Sequence, residues 1–312
     1  MANARDVFER LVFSAGEYDY RWADVVAAGR ARSRWDEISS QAGDGLTALD
    51  RLGEPIAEAE LEEAGQAFRY ERGLLAAEEM EAWLEHWAVS HAEWLAYLRR
   101  ALARSRQPEP EATLHPKEAD VWAEAVCSGA LAELARDLAA RAAAAEADGR
   151  GAGPVETDLG RMDEAFAAFT RDALTAEAAA KTLELRSADW VRLTFTALEF
   201  GERGMASEAA LCVREDGLSL AEVADRASVA VQEREAFIVE VDPEVSKSLL
   251  SAPPGELVGP LPVANRFLLV RVNEKIAPTL EDPLIQDRLH EEVPRRALER
   301  EVRNRVRWHE RL

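Results

Sequence analysis

The chain is poor in the residues that most covalent chemistry requires. Its 312 positions hold two cysteines, Cys127 and Cys212, far apart and each alone on an apolar stretch. That excludes a disulfide framework and any CxxC metal or redox spacing, and two buried thiols are expected, since free cysteine is among the most buried residue types. The five histidines are His86, His91, His115, His290 and His309, and His86 and His91, five positions apart, do not share a helix face as a two-histidine metal site would require. No GxxxxGKS/T, GxGxxG or GxSxG occurs, so nucleotide, dinucleotide and α/β-hydrolase chemistry find no support. No metal, cofactor or catalytic residue is expected. No run of about 18 apolar residues occurs, which excludes a membrane-spanning helix. The opening MANARDVFERLVFSAGEYDY carries charges throughout and lacks the apolar core of a secretory signal, so a cytoplasmic address is the expectation. Positive charge is also short: 38 Lys and Arg stand against 59 Asp and Glu, a net charge of −21 that argues against nucleic-acid and anionic-membrane partners.

What is present is a helix-forming composition of 47% hydrophobic and 31% charged residues, over a length that accommodates roughly two domains of ~100–200 residues. The charge is unevenly placed. Residues 273–312 balance, so the whole deficit lies in residues 1–272, and from Pro294 to Leu312 seven arginines face three glutamates. A basic C-terminal helix docking on the chain's own acidic body is the plain reading of that segment.

Residues 6–50 read as helices, with Val7, Leu11 and Val12 on one face, Trp22, Val25, Val26 and Trp35 continuing the spacing, and QAGDG at 41–45 as a break. After Gly53 and Pro55 a second block divides into three helices, separated at Gly73 and at Ser90, a candidate N-cap. Within it Trp83, Trp87 and Trp94 fall at i, i+4 and i+11, one face of the helical lattice. RSRQPEPEAT at 104–113 reads as a linker, 117–147 as one Ala-rich helix, DGRGAGP at 148–154 as a break, and 162–183 as a further helix. Glu-rich runs such as EAELEE are solvated helix faces.

From Trp190 the period changes. WVRLTFTALEF alternates Val191, Leu193, Phe195 and Ala197 against Arg192, Thr194 and Thr196, the mark of a half-buried strand. SEAALCVREDG has helical spacing with Gly217 as its stop, and LSLAEVADRAS opens with a capping box, Ser219 and Glu222. REAFIVEV is strand-like, PEVSKSLL is a short helix ending at SAPPGE, and VGPLP leads through Asn265 into RFLLVRV, an alternating central strand.

In that order, and with APPGELVGPLP before RFLLVRV, residues 189–274 resemble a parvulin-type peptidyl-prolyl isomerase domain. EPIAEAELEEAGQAFRYERGL and EKIAPTLEDPLIQDRLHEEV are similar to the helical segments of SurA-like foldases, and the combination is similar to parvulin-related proteins of peptide-maturation systems. The resemblance implies an α+β, mostly helical protein: a helical chaperone-like domain at 1–187, a small parvulin-like domain at 188–276, and a tail at 277–312 whose helix returns to the helical domain. It departs from the family in its histidines. The first strand offers Leu193, Thr194, Phe195 and Thr196 and the last offers Phe267 where the family carries them, and all five histidines fall outside the domain.

The expected function is therefore peptide holding, with an extended or precursor peptide as partner. A slow prolyl isomerase and an accessory subunit that docks a peptide-modifying enzyme are the alternatives. An apolar slot of Phe195, Phe237, Leu250 and Phe267, with Thr194 or Thr196 as its polar element, and a cradle of Trp83, Trp87 and Trp94 are the expected peptide-binding residues.

Overall fold

The computed structural model describes residues 4–106 and 114–312. The protein is α+β and mostly helical, with two small antiparallel sheets, and it forms two compact units: Met1–Asp172 with Arg296–Leu312, and Ala173–Arg295. Among the described residues no helix is long and apolar enough to cross a membrane.

The first unit begins with α1 (Ala4–Phe8), β1 (Leu11–Ala15) and β2 (Tyr18–Arg21). The last two correct the helical reading of residues 6–50. Ala15 pairs Tyr18, leaving a two-residue loop whose first residue is Gly16 at φ +58°, a position where a side chain is strained. Leu11–Phe13 and Tyr18–Tyr20 are aromatic or branched enough to prefer the pleated strand over the helix suggested by Val7, Leu11 and Val12. Phe13 stacks on Tyr20 at 4.6 Å, and with Trp22 both are fully buried, worth ~1.5–3 kcal/mol for each large apolar side chain.

Helices α2 (Trp22–Ala31), α3 (Arg34–Asp50), α4 (Glu58–Glu71), α5 (Ala77–His86), α6 (His91–Arg106), α7 (Glu118–Cys127), α8 (Ala130–Ala147) and α9 (Val155–Ala173) follow. QAGDG does not break the chain, because it lies inside α3. Gly45 lets α6 approach so closely that a Cβ there would stand 2.7 Å from Arg100 Cβ, so this glycine serves packing rather than a stop. The Ala-rich stretch is two helices, divided where Gly129 takes φ +85°. The helix read at 162–183 is likewise two, because Thr175 caps a new one by accepting from the Ala178 amide at 3.1 Å. The break at 148–154 stands, fixed by Tyr20, whose hydroxyl donates to the Gly153 carbonyl at 2.8 Å and accepts from its amide at 3.2 Å. Of the linker read at 104–113, Arg104–Arg106 finish α6 and 107–113 lie outside the described residues.

In the second unit α10 (Ala176–Arg186) precedes β3 (Arg192–Phe200), α11 (Arg203–Arg214), α12 (Leu220–Ala227), β4 (Val231–Phe237), a 3-10 turn at Ile238–Glu240, α13 (Pro243–Ser251), β5 (Leu257–Val263) and β6 (Arg266–Ile276). The strands form one antiparallel sheet in the order β4-β3-β6-β5. The alternation read in WVRLTFTALEF is the actual facing: Leu193, Phe195 and Ala197 pack with Val245 and Leu249 of α13, whereas Leu198 and Phe200 pack with Ala206, Ala210 and Val223 of α11 and α12. The Ser219–Glu222 capping box is formed, with the Glu222 amide donating to Ser219 Oγ at 3.2 Å and the Ser219 amide to Glu222 at 2.8 Å. Helix α14 (Pro283–Arg305) closes the unit with Ile285, Leu289 and Val293 buried against Trp190 and Phe237.

The C-terminal tail is not helical to its end. After α14 comes β7 (Val306–Trp308), which pairs antiparallel with β1, so the first unit's sheet runs β2-β1-β7. The branched and aromatic Val306 and Trp308 favour an edge strand over another helical turn, and Trp308 meets Phe13 at 5.3 Å.

Candidate functional site

The ligand-sized hollows among the described residues lie in the first unit. There α4 and α6 border a groove of about 540 Å³, lined by Ile56, Leu61 and Gly65 with Glu58, Glu62, Gln66 and Arg69 on one wall and by Trp94, Leu95 and Arg99 on the other. A second hollow of about 420 Å³, formed by Leu49, Leu52, Pro55 and the same Ile56 and Arg99, continues it. The floor exists because residue 65 is glycine: a Cβ there would come to 3.3 Å from the Trp94 indole. Trp94 is 6% exposed, and its indole N–H is shut from solvent without an acceptor. At one end Arg69 donates through Nε to the Leu74 carbonyl at 3.0 Å and through Nη2 to the Leu75 carbonyl at 2.8 Å, which fixes the 72% exposed Leu75 beside the groove.

The register of α6 is set by its cap. Ser90 Oγ accepts from the Glu93 amide at 3.2 Å while the Ser90 amide donates to the Glu93 carboxylate at 2.7 Å, as the N-cap reading of Ser90 anticipated. The tryptophan face does not survive, however. Trp83 lies on α5, the chain breaks after Trp87 with Ala88 at φ +50°, and Trp94 starts afresh on α6. Trp83 and Trp94 both meet Phe68 edge-on, at 5.4 and 5.7 Å, whereas Trp87 turns to Trp22 at 5.2 Å. Only Trp94 of the three lines the groove. Its neighbours Leu61, Leu95 and Arg99 were missed by sequence reasoning; the signal available was the i, i+4 pair Leu61 and Gly65 facing i, i+1, i+5 of α6.

In the second unit the slot residues are not brought together. Phe195 is buried on the α13 face, Phe237 belongs to the cluster of Trp190 and α14, Phe267 packs with the α11 and α12 cluster, and Leu250 on α13 is 41% exposed. Phe267 pairs with Phe200, four residues along β3 from Thr196, which is about 13 Å at the usual rise of a strand. Thr194 and Thr196 point to the face opposite Phe195. There Thr196 Oγ1 accepts from Asn273 Nδ2 at 3.1 Å, on the half of the sheet that α11 and α12 leave uncovered.

Neither cysteine is poised for chemistry. Burial pushes the Cys127 thiol up to about 12, with Arg72 opposing and Glu124 adding to the effect. Cys212 is only partly buried, which corrects the expectation of two buried thiols. At pH 8 iodoacetamide is expected to label Cys212 at least tenfold faster than Cys127, read by peptide mass spectrometry, with Cys127 reacting only as the unit unfolds.

Fold and site together define an α+β protein with an interhelical groove of mixed apolar and charged lining in one unit and a four-stranded antiparallel sheet in the other. No protein-family model matches the chain, and no curated protein matches it. Among solved structures, one from a study of PEB4 and the periplasmic protein Cj1289, SurA-like chaperones of Campylobacter jejuni, aligns over 97% of this chain and 100% of its own at 10% identity and TM-score 0.21. The foldase PrsA of Streptococcus pneumoniae aligns over 93% and 91% at 10% identity and TM-score 0.31, and PrsA of Bacillus subtilis over 96% and 90% at 11% and 0.25. At such identities and TM-scores the functional reading rests on the geometry of this chain alone.

Proposed function

We propose that the protein is a peptide-holding, chaperone-like factor that takes an extended apolar segment of an unfolded or precursor chain into the groove between α4 and α6. The observation that carries this reading is the groove itself: about 540 Å³, within the ~300–1,000 Å³ of ligand sites, with Ile56, Leu61, Trp94 and Leu95 as its apolar surface, Glu58, Glu62, Gln66 and Arg69 as its polar part, and Arg99 between its two hollows. Arg99 is exposed and meets no carboxylate among the described residues, in a protein of net charge −21. It supplies a donor for a peptide carbonyl or carboxylate, while the apolar walls gain by desolvating side chains. Holding needs no covalent group, in keeping with a chain whose histidines and cysteines form no nucleophile and base. Maturation of a precursor peptide is the setting this reading favours.

Titration of a dye-labelled peptide with an Ala-Phe-Leu-Leu core, followed by anisotropy, tests it. Leu61→Glu places a charge in the apolar wall and is expected to weaken binding at least tenfold, whereas Leu185→Glu, at a 57% exposed site on α10, leaves it unchanged. Equal affinity for the two variants overturns the assignment. Exchange spectroscopy on an Ala-Pro peptide is expected to show no acceleration by substoichiometric protein.

A further inference from the structure

The open half of the second unit's sheet carries a cation that its surroundings do not explain. Four arginines stand on the strands of this sheet. Arg192 meets Glu235 at 2.9 Å and Asp282 at 3.1 Å, Arg234 meets Glu199 at 3.7 Å, and Arg266 meets Glu199 at 3.2 Å. Arg271, on the central strand β6, is half-buried and meets no carboxylate among the described residues; its Nε, like that of Arg192, is shut from solvent without an acceptor, and unlike Arg192 it has no ion pair to offset this. A buried donor on a charged group left without a partner is costly, more so than a neutral one, and native proteins supply a partner for almost every such atom. In a chain with 59 acidic residues the missing partner is not for want of carboxylates.

The register shows what surrounds it. Arg271 pairs with Thr196 on β3 and with Leu257 on β5, so its side chain rises between theirs on the face of Leu198 and Leu269. Asn273, two residues on, turns its amide to Thr196 on that same face. From the α11 side Arg214 donates through Nη2 to the carbonyls of Leu257 at 3.1 Å and Gly259 at 2.9 Å, a second arginine that meets no carboxylate among the described residues, anchored on the strand beside Arg271. Arg271, the hydroxyl of Thr196 and the carboxamide of Asn273 thus stand as neighbours on one face of the sheet, with apolar Leu257 on the other side of Arg271.

We propose that this is a carboxylate-binding site, in which Arg271 takes the side-chain or terminal carboxylate of an acidic peptide, with Thr196 and Asn273 as hydrogen-bonding neighbours. An arginine and a carboxylate match in planar two-point geometry, and the pair is stronger than a neutral hydrogen bond. A carboxylate suits the place better than a phosphate: Glu233 lies exposed on the same face on β4, opposite Thr196, and its field opposes a dianion more than a monoanion. The site lies in the second unit and stands whether or not the groove of the first holds a peptide.

The test is a titration of the protein labelled at arginine Nε–H, followed by NMR, with acetyl-Ala-Glu-Ala-amide, its Gln counterpart and its phosphoserine counterpart at constant ionic strength. The expected result is a shift of the Arg271 Nε–H resonance, with the Glu peptide bound at least tenfold more tightly than the Gln peptide and more tightly than the phosphoserine peptide. Arg271→Gln is expected to abolish that preference, Arg271→Lys to keep part of it, and Thr196→Val to weaken it a few-fold, each with an unchanged far-UV spectrum. Equal binding of Glu and Gln peptides, a preference that survives Arg271→Gln, or tighter binding of the phosphoserine peptide overturns the assignment. If Arg271→Gln does not fold, the wild-type Glu-to-Gln ratio together with Thr196→Val decides the question.

Discussion

Glu124→Ala is expected to lower the unfolding free energy of the first unit by about 3–5 kcal/mol, the usual cost of removing one partner from a buried ion network. Glu124 is fully buried on α7, with Arg104 Nη2 at 2.8 Å and Arg100 Nε at 3.9 Å. Arg100 is 1% exposed, reaches Asp120 at 2.8 Å, and packs its stem against Gly45, while Arg104 also donates to the Gln41 carbonyl at 2.6 Å. The network therefore ties α3, α6 and α7 at one place, and without Glu124 the fully buried Arg100 loses one of its two carboxylates and the partly exposed Arg104 loses its own. At ~2–4 °C per kcal/mol for a unit of this size, a fall of roughly 6–20 °C in melting temperature by circular dichroism is expected. Arg100→Met combined with Glu124→Leu is expected to be milder than Glu124→Ala alone, because it removes the charges together with their desolvation cost. A double variant worse than the single one would mean that the charges contribute net stability. Since α6 carries Trp94, Leu95 and Arg99, Glu124→Ala is also expected to weaken peptide binding in the groove.

How much of this was legible in the sequence depended on whether a local rule was left to act alone. The half-buried strand at Leu193–Ala197, the capping box at Ser219–Glu222 and the cap at Ser90 follow from period and chemistry within a few residues, and all three formed. Residues 11–21 went wrong because their strand character is completed from far away, by β7 at the other end of the chain. QAGDG looked like a break because a close helix approach, here at Gly45, and a turn ask for the same residue. In the candidate sites the residue types were legible but their grouping was not. Phe195 and Phe267 sit on strands that neighbour each other in the sheet, yet parity sends Phe195 to one face and register slides Phe267 opposite Phe200. Trp94 was found and its groove partners on α4 were not, since no local pattern tells which helix a tryptophan will face. Arg271 read as one more polar residue of an alternating strand until the partners of every other strand arginine were known.

The same long-range dependence makes the last seven residues a large lever on the first unit. Deleting Val306–Leu312 is expected to cost about 3–5 kcal/mol, from the apolar area of Trp308 on Phe13 and from the polar partners that the segment brings. Glu310 meets Arg10 Nε at 3.2 Å and His86 Nε2 at 3.1 Å, and the His309 and Glu310 amides donate to the Val12 carbonyl at 2.9 and 3.3 Å. Arg10 lies over the Trp87 ring at 5.2 Å and is partly buried, which lowers its pKa while Glu310 raises it. Losing Glu310 therefore leaves a poorly solvated cation against an indole. Urea unfolding measures the total, and Trp308→Ala alone is expected to account for about half of it, roughly 1.5–3 kcal/mol. Hydrogen exchange locates it: the deletion is expected to expose the β1 backbone facing β7, while the β1–β2 pairing keeps its protection. If the deletion leaves both the urea midpoint and exchange at Phe13 and Ala15 unchanged, β7 adds nothing to the hairpin. The hairpin would then owe its strand form to Gly16 and its own aromatic pairs alone, within reach of local sequence rules.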